Sequence, residues 1–390
     1  MQDGRKGRLH PAVGFARNEV ANSLNRLLGE GTVVASGKSV AHPAEDEEKP
    51  LILVGCSGGP DSLALAAITA HFARRGSISV GAVIVDHGLQ EESAQVADRA
   101  AAQCEALGLS PVFIKKVTVE HGSEGPEMAA RTARYGAFSE AVLETGARAV
   151  LLAHTLDDQA ETVLLGLARG SGTKSLSGMP EVRQVAAVTY VRPLLSVRRE
   201  QILAICEAEN VEPWLDPTNS DESLMRAKVR HSILPFLEEN LGGDVAVSLA
   251  RTAAIIGPDA EFIEDQARQA LEETSLALEQ VGGEKNLQLP QRITEKQSCV
   301  LLNRVALAEL HPALLQRVLS LAVKAAGGET PGYERLTALT EFIADHSKAG
   351  PLQLAGHVSA YRRRPSVKIE EGNRLFNLKQ TGIIVFIGTK

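Results

Sequence analysis

The stretch Leu51-Ile52-Leu53-Val54-Gly55-Cys56-Ser57-Gly58-Gly59-Pro60-Asp61-Ser62 joins an apolar run to a helical one through a glycine-rich turn. The apolar run predicts a buried strand, and residues 63–72 predict a helix. A turn between a strand and a helix leaves backbone N–H groups free at the positive helix end, which suits an anion and above all a phosphate. The turn lacks the Gly-Lys-Ser/Thr of a Walker A motif, so we expect another kind of phosphate chemistry. The alternative is an ordinary turn in which Asp61 or Ser62 caps the helix.

Strand-like and helix-like segments alternate along the first half of the chain. Apolar, β-rich runs lie at 51–56, 80–86, 111–117, 148–153 and 188–191. Helical stretches lie near 61–75, 91–107, 126–145, 157–168 and 196–209. This alternation predicts an α/β fold, a doubly wound parallel sheet with helices on both faces. In such a sheet, ligands bind at the carboxyl ends of the strands, where the winding reverses.

Changes in composition divide the chain into four predicted segments. Residues 1–50 contain an amphipathic helix and an acidic loop, and 51–220 form the α/β domain. Residues 221–285 predict a helical linker, whereas 286–390 predict a small α+β domain that is helical over 295–345 and strand-rich at its end. The last forty residues carry seven Lys and Arg against two Glu, a basic segment that suits RNA phosphates.

Composition excludes several classes of protein. The four cysteines, Cys56, Cys104, Cys206 and Cys299, form no C-x-x-C pair, which argues against a zinc ribbon, an iron–sulfur centre and a redox motif. Scattered cysteines fit a reducing cytoplasm, and no run reaches membrane-spanning length. A net charge of −7 argues against a protein that coats nucleic acid non-specifically, but it leaves room for a local basic patch. We therefore expect a cytoplasmic protein without a membrane partner.

A second group of polar residues follows the predicted strand 150–152. Asp157, Asp158 and Glu161 gather on the first turn of the next helix, close to His154. Hard carboxylate oxygens suit Mg²⁺, so we expect this group to bind Mg²⁺ together with ATP. Acidic residues also favour helix N-termini through the helix dipole, which explains one or two of the three carboxylates. For His154, a structural role is as well supported as a ligand contact.

Two further positions carry candidate ligands. Asp86 and His87 end the second predicted strand, where Asp86 suits the sugar or base of a nucleotide and a plain turn is the alternative. Arg131 and Arg134 lie on one helix face and suit a bidentate contact with a carboxylate or phosphate, unless that face is only solvated. If the first and fourth strands are neighbours, the glycine turn and the carboxylates face one crevice.

Taken in order, these motifs resemble the tRNA(Ile)-lysidine synthase family of the PP-loop ATP pyrophosphatases. The turn at 57–62 is similar to the SGGxDS loop of that superfamily. Further similar stretches are Asp86–Leu89, Ala130–Tyr135, His154–Gly172, Arg192–Leu195 and Trp214–Asn219. Gln90 and Thr155 depart from the family pattern, in which an Arg and a second His are frequent at these two positions. The resemblance covers about 51–237 and is weaker over 240–390.

The resemblance implies an ATP-dependent ligase that modifies the isoleucine tRNA with a CAU anticodon. The 2-oxo oxygen of the wobble cytidine attacks the α-phosphate of ATP, and pyrophosphate leaves. The ε-amine of L-lysine then displaces AMP to form lysidine. The implied architecture is an adenine nucleotide α-hydrolase-like domain followed by a small tRNA-docking domain. A homodimer is left open.

The resemblance also implies roles for particular residues. The residues expected to bind ATP are Ser57, Gly58, Gly59, Pro60, Asp61, Ser62, Asp86, His87 and His154. Asp61 and either Asp157 or Asp158 hold Mg²⁺. Asp158 and Glu161 receive the lysine ammonium, and Arg131 binds the lysine carboxylate. The basic residues expected to contact tRNA are Arg192, Arg226, Lys228, Arg230, Arg362, Arg363 and Arg364.

Two other functions stay open from the sequence alone. Another PP-loop enzyme, such as a tRNA thiolase, needs reactive or cluster-binding cysteines, and Cys56 beside the loop keeps this function open. A nucleotide-binding module without catalysis agrees less well with the intact set of carboxylates.

Overall fold

The computed structural model describes residues 9–35, 49–88, 92–118, 126–170, 172–216, 221–289, 297–344, 350–371 and 374–389. Leu89, Gln90, Ser171, Pro217, Thr218 and Asn219 of the sequence motifs lie outside these residues, as does most of the acidic loop before residue 49. The chain divides into two compact units, Met1–Gly257 and Pro258–Lys390. The finer division into four segments stays a prediction.

Strands and helices alternate along the first unit, as the sequence predicts. Its strands are β1 (Leu51–Gly55), β2 (Ser79–Asp86), β3 (Val112–Lys116), β4 (Ala149–Leu151), β5 (Val182–Val185) and β6 (Val188–Val191). Its helices are α1 (Pro11–Leu28), α2 (Pro60–Arg74), α3 (Ser93–Ala106), α4 (Pro126–Thr145), α5 (Leu156–Ala168), α6 (Thr173–Leu176), α7 (Arg199–Ala208), α8 (Met225–Lys228) and α9 (Leu234–Leu241), and α10 (Val245–Thr274) begins in this unit. A π-helical segment, Val229–Ile233, joins α8 to α9.

In the described part of the first unit, six strands form one sheet in the order β3-β2-β1-β4-β6-β5. Neighbouring strands are parallel except β5 and β6, which form an antiparallel hairpin. The chain winds outward from β1 to β3 and restarts on the other side at β4, so the winding reverses between β1 and β4. The predicted doubly wound sheet is therefore confirmed, with the first and fourth strands side by side. The carboxyl end of that pair is where a ligand is expected.

Strand β1 lies between two apolar cores. Ile52 and Val54 join one cluster, together with buried residues of α1, α2, α3 and α7. Leu53 points to the opposite face and joins Phe138 of α4 in a second cluster, because successive side chains of a strand alternate between faces. All three side chains are fully buried, as a central parallel strand requires. Packing on both faces fixes the position at which β1 ends and the glycine turn begins.

The second unit has a smaller, antiparallel architecture. Its elements after α10 are α11 (Glu284–Leu287), β7 (Gln297–Asn303), α12 (Arg304–Glu309), α13 (Pro312–Ala325), α14 (Tyr333–Ala344), β8 (Leu352–Leu354), β9 (Val358–Arg363), β10 (Lys368–Glu371), β11 (Arg374–Asn377), α15 (Leu378–Thr381) and β12 (Ile383–Thr389). Among its described residues, β7, β12, β9 and β8 form a sheet in that order, and β10 pairs with β11. The predicted small α+β domain is confirmed.

Two strands depart from the sequence-based expectation. Strand β5 is Val-Arg-Gln-Val with every residue exposed, so no apolar face marks it as a strand. Strand β7 lies in a stretch predicted to be helical. It becomes a strand because β12 pairs with it over its whole length, from Gln297 opposite Thr389 to Asn303 opposite Ile383. Both segments are strands because a neighbouring strand pairs with them, and the local sequence does not show that pairing.

A helix that crosses a bilayer has to be both long and apolar, and the helices in the described part of the chain do not meet both conditions.

A close approach inside the first sheet gives a test of its packing. A methyl group at Gly81 of β2 would lie 2.5 Å from the carbonyl oxygen of Pro111 and 2.9 Å from Cδ2 of Leu53. We therefore expect Gly81→Ala to lower the free energy of unfolding by about 1–3 kcal/mol, the usual cost of overpacking. Gly136→Ala is the control, because nothing lies within 4 Å of its added methyl group. Urea unfolding followed by circular dichroism measures both, and equal stability of the two variants would contradict this packing.

Candidate active site

The glycine turn between β1 and α2 is held in shape by its own side chains. The Ser62 hydroxyl accepts a hydrogen bond from the backbone N–H of Ser57 at 3.1 Å and donates one to the carbonyl of Gly59 at 3.0 Å. Gly58 adopts a φ of +82°, which favours glycine. Gly59 is the N-cap of α2, and no side chain of the described residues caps this end. The alternative of a helix capped by Asp61 or Ser62 is therefore wrong, and the positive end of α2 has no side-chain cap.

A second segment supports the turn from outside the sheet. The backbone N–H of Trp214 donates to the carbonyl of Gly58 at 2.9 Å. Two residues earlier, both backbone groups of Glu212 pair with the side-chain amide of Gln103 on α3, at 2.8 and 2.9 Å. The segment from Glu212 to Trp214 is thus tied to α3 and to the turn at once.

A cavity of about 420 Å³ lies at the carboxyl ends of β1, β2 and β4. Its wall includes residues of the turn at 57–62, the ends of these strands, and the side chains of His154, Asp158 and Arg199. Asp61 of the turn and Asp158 of α5 face the same space. The structure therefore brings the predicted phosphate loop and part of the predicted carboxylate set into one crevice.

Asp158 is fixed by the start of α5. Its Oδ2 accepts hydrogen bonds from the backbone N–H of Thr155 at 2.8 Å and from the Thr155 hydroxyl at 2.9 Å. Thr155 in turn caps α5, so the residue that departs from the family pattern has a structural role. The other oxygen, Oδ1, accepts from Nη2 of Arg230 at 3.1 Å. Asp158 is therefore oriented before any ligand binds.

Glu161 forms a buried ion pair with Arg230. Nε of Arg230 donates to Oε1 of Glu161 at 2.6 Å, and Nη2 donates to Oε2 at 3.0 Å. Glu161 is fully buried, and this burial raises its pKa while the hydrogen bonds from Arg230 counter part of the rise. The pair of carboxylates predicted to receive a lysine ammonium thus already holds a guanidinium of the protein.

Arg230 occupies a place that sequence reasoning missed. The sequence groups it with Arg226 and Lys228 as a tRNA contact, but the structure places its side chain on the cavity wall. It lies in the π-helical segment. Such wide turns are rare in proteins as a whole, and many of those that occur lie at functional sites. Arg226 and Lys228, on α8, are exposed as expected of a tRNA-contacting surface.

The predicted metal ligands separate into two groups. Asp157 does not line the described cavity; its Oδ2 accepts from the backbone N–H of Arg199 at 2.8 Å and supports the start of α7. Asp61 and Asp158 remain on the cavity wall. Oδ1 of Asp61 is buried without a hydrogen-bond partner among the described residues, and burial raises the pKa of Asp61 to about 6, although nearby Arg199 opposes this.

This arrangement fits Mg²⁺. No group of three or more His, Cys, Asp and Glu side chains in the described residues is placed to hold a metal ion. Mg²⁺ needs no such group, because it is usually held by one or two carboxylates together with water and substrate phosphates. The unpartnered oxygen of Asp61 and the fixed carboxylate of Asp158 supply two hard ligands beside the phosphate loop.

The two candidate histidines are neutral at physiological pH. Burial, followed by the charge of Arg192, lowers the pKa of His154 to about 4, and burial also lowers the pKa of His87. Both rings line the cavity, and Nδ1 of each is buried with no partner among the described residues. Neutral rings of this kind can donate or accept a hydrogen bond without adding charge beside the phosphates.

A smaller cavity of about 210 Å³ adjoins the first. The two share Ser57, Val85 and His87, and the smaller one is also lined by Asp86 and Trp214. Asp86 accepts from the backbone N–H of Gly88 at 3.0 Å, and a hydrogen bond from Ser93 lowers its pKa. Its carboxylate is therefore ionised and held at the end of β2.

The remaining predicted arginines lie in different surroundings. Arg131 donates to the hydroxyl of Tyr135 at 3.3 Å and stacks on its ring, and it does not line the described cavity, whereas Arg134 does. Arg192 is 2% exposed and donates to the carbonyl of Pro180, which places it inside the unit and removes it from the predicted tRNA surface. In the second unit, Arg362 stacks on Phe342.

Arg363 and Arg364 continue the same strand end. The guanidinium of Arg363 lies 5.0 Å from the ring centre of Tyr361, and Arg364 is exposed. Arg304, on α12, is close enough to Arg362 and Arg364 that their charges lower its pKa, after the larger effect of burial. The basic run thus forms part of a positive cluster within the second unit.

Comparison with known proteins agrees with this geometry. Residues 33–237 match the PP-loop domain, and residues 302–366 match the TilS substrate binding domain. The fold and the cavity therefore define a PP-loop enzyme, a class that uses ATP.

Curated relatives narrow the class. The tRNA(Ile)-lysidine synthase of Leifsonia xyli subsp. xyli is 46% identical over 78% of this chain and 86% of its own length. The corresponding enzyme of Salinispora arenicola is 41% identical over 80% of this chain and 88% of its own. The chain belongs to the tRNA(Ile)-lysidine synthase family. The family predicted from the motifs is confirmed, and the thiolase and the non-catalytic module are not favoured.

The raised pKa of Asp61 gives a test by pH. The folded chain holds the Asp61 proton up to about pH 6, whereas the ordinary value is 3.8, so ionisation of Asp61 costs stability as pH rises through this window. We expect Asp61→Asn to gain about 1–2 kcal/mol relative to the unsubstituted chain between pH 4 and pH 7. Unfolding free energies measured without ATP or Mg²⁺ check this.

The matched control is Asp86→Asn, because the pKa of Asp86 is lowered and not raised. This variant should show no such gain over the same window. Parallel pH profiles for Asp61→Asn and the unsubstituted chain would contradict the assignment.

Proposed function

We propose that the larger cavity is the active site of an ATP-dependent ligase that forms lysidine at the wobble cytidine of the CAU-anticodon isoleucine tRNA. The observation that carries the proposal is the meeting of the phosphate loop with Asp61 and Asp158 in one cavity, in a chain of this family. ATP and tRNA use follow from the family, whereas the residue roles below rest on the geometry of the site.

The phosphate loop binds the triphosphate of ATP. The negative charge of the triphosphate would lie at the positive end of α2, close to the first backbone N–H groups of this helix and to the hydroxyls of Ser57 and Ser62. The neutral rings of His87 and His154 supply further hydrogen bonds. The smaller cavity, with Asp86 and Trp214 on its wall, takes the adenosine. The α-phosphate is then held in place for attack by the 2-oxo oxygen of cytidine.

Asp61 and Asp158 would hold Mg²⁺, which when bound neutralises charge on the phosphates. Asp157 is left out of this role because it supports α7 through the backbone of Arg199. Two carboxylates that face one cavity need no rearrangement of the sheet to share an ion.

Asp158 also suits the lysine substrate. The lysine ε-amine has an ordinary pKa near ~10.4, so it arrives as an ammonium and has to lose a proton before it attacks C2 of the cytidine. Asp158 can hold that ammonium, and Glu161 orients Asp158 indirectly through Arg230. The lysine carboxylate is proposed to bind Arg134, one turn from Arg131, because Arg134 reaches the cavity wall. The amine then displaces AMP.

Replacement of the cavity carboxylates tests these roles. We expect Asp61→Asn and Asp158→Asn to reduce transfer of labelled lysine to the CAU isoleucine tRNA at least 100-fold, because each removes a charged ligand from the cavity. Asp157→Asn is the matched control and should lose less than tenfold. Sustained pyrophosphate release should need both lysine and this tRNA, and a methionine tRNA should not replace it. Full activity of both cavity variants would sink the assignment.

The positive cluster of the second unit is proposed to dock tRNA. Replacing Arg362, Arg363 and Arg364 by Gln should weaken tRNA binding and lower the slope of log affinity against log salt by about two to three, because fewer phosphates are neutralised. Binding measured from low to moderate salt checks this. A variant with Lys285, Lys324 and Arg335, all three exposed, replaced by Gln loses the same number of positive charges and controls for net charge. An unchanged slope in the arginine variant would move the docking surface elsewhere.

A cytoplasmic location is part of the same proposal. Sedimentation of the purified chain decides whether it forms a homodimer.

A further inference from the structure

Arg199 has a place in the cavity that neither the sequence motifs nor the roles above explain. It is the first residue of α7, and its backbone N–H is held by Asp157 at 2.8 Å. From this fixed start its side chain reaches the wall of the larger cavity, beside Asp61 and Asp158. A charged side chain is thus aimed at the phosphate loop from an anchored backbone.

The contacts of Arg199 differ from those of the other cavity arginine, Arg230. Nη2 of Arg199 lies 3.9 Å from Oδ2 of Asp61 and 3.7 Å from Oδ1 of Asp158, distances that suit ion pairing but are too long for hydrogen bonds. Its Nε is buried and has no hydrogen-bond partner among the described residues. Arg230 makes three hydrogen bonds of 2.6 to 3.1 Å to carboxylates.

An unsatisfied buried donor needs an explanation, because leaving it without a partner costs free energy. The guanidinium of Arg199 is held beside two carboxylates by charge, and its buried Nε donates to neither of them. A ligand that accepts several hydrogen bonds from a planar guanidinium would satisfy them, and phosphate oxygens do so bidentately.

The two carboxylates also explain when Arg199 would turn to such a ligand. Asp61 and Asp158 are the residues proposed to hold Mg²⁺, and a divalent ion there competes with the guanidinium for the same oxygens. Like charges repel, so the guanidinium would move off the carboxylates toward the nearest anion. Asp61 lies on the first turn of α2, so that anion is the part of ATP bound by the phosphate loop.

We propose that Arg199 contacts the β- and γ-phosphates of ATP and stabilises the pyrophosphate that leaves. The bond that breaks joins the α-phosphorus to the oxygen bridging it to the β-phosphate, and that oxygen takes the electron pair. A guanidinium beside the departing group opposes the charge that develops on it. This inference rests on the proposed function. The main rival is that Arg199 binds the lysine carboxylate.

Pyrophosphate binding separates the two. With the full chain in Mg²⁺ buffer, isothermal titration calorimetry should show that Arg199→Gln binds pyrophosphate at least tenfold more weakly than the unsubstituted chain. The KM for lysine should stay within threefold. Arg199→Lys should be intermediate, since it keeps the charge and loses the bidentate geometry. Arg26→Gln is the control, because Arg26 is exposed and pairs with Glu181.

Each other outcome contradicts the inference. Unchanged pyrophosphate affinity in Arg199→Gln overturns it, and a raised KM for lysine with that affinity unchanged assigns Arg199 to the lysine carboxylate. If Arg199→Gln loses its circular dichroism spectrum, Arg199→Lys decides by the same measurement, and affinity equal to that of the unsubstituted chain overturns the inference. Failure of the unsubstituted chain to transfer lysine to tRNA would instead sink the proposed function, and the pyrophosphate titration would still report on Arg199.

Discussion

The parallel pairing of β1 with β4 is the constraint on which the rest of the site depends. Ile52 lies opposite Ala149, and Val54 lies opposite Leu151, so the two strands end at nearly the same level. The glycine turn follows one strand and the acidic helix follows the other. A shift of one residue in this register would turn the apolar side chains of β4 toward the opposite face, and both cores resist such a shift. The buried sheet thus sets the distance between the phosphate loop and Asp158.

Charge balance is the second feature of the cavity. Three carboxylates, Asp61, Asp158 and Glu161, share the guanidinium groups of Arg199 and Arg230. The buried member, Glu161, has its hydrogen bonds satisfied, whereas Asp61 and Arg199 each keep a buried atom without a partner among the described residues. The hydrogen bonds around Arg230 therefore hold that side of the cavity in place, whereas the unpartnered atoms of Asp61 and Arg199 are available to a ligand.

The sequence predicts those parts of the molecule that local pattern encodes. The phosphate loop, the five parallel strands and the acidic start of α5 are each visible within a short window, because apolar runs and helix caps repeat over a few residues. Arg230 escapes such reading because it meets Glu161 across 69 positions of chain, through a π-helical turn. The role of Asp157 could not be predicted either, because its neighbour Asp158 is also an aspartate and only the fold decides which of the two lines the cavity.

Edge strands and buried polar residues are the other limit. Strand β5 carries no apolar face, and β7 depends on pairing with β12, so neither shows in its own residues. Arginine is usually a surface residue, but Arg192 is 2% exposed and donates a hydrogen bond to the carbonyl of Pro180. Tertiary partners override the local preference in each case.

The hydrogen bond from the backbone N–H of Trp214 to the carbonyl of Gly58 also affects the next backbone N–H of the loop. A peptide bond is planar and trans, so the Gly58 carbonyl and the Gly59 N–H belong to one rigid plate and point in opposite directions. Holding the carbonyl from outside therefore aims the N–H on the other side, at Gly59, which lines the cavity. Gln103 fastens the same segment to α3. The anion-binding geometry of the loop thus depends partly on residues 212–214, which lie far downstream in the chain. Residues 57–62 transplanted alone into another sheet would keep the motif sequence but would lose the contact that orients the Gly59 N–H.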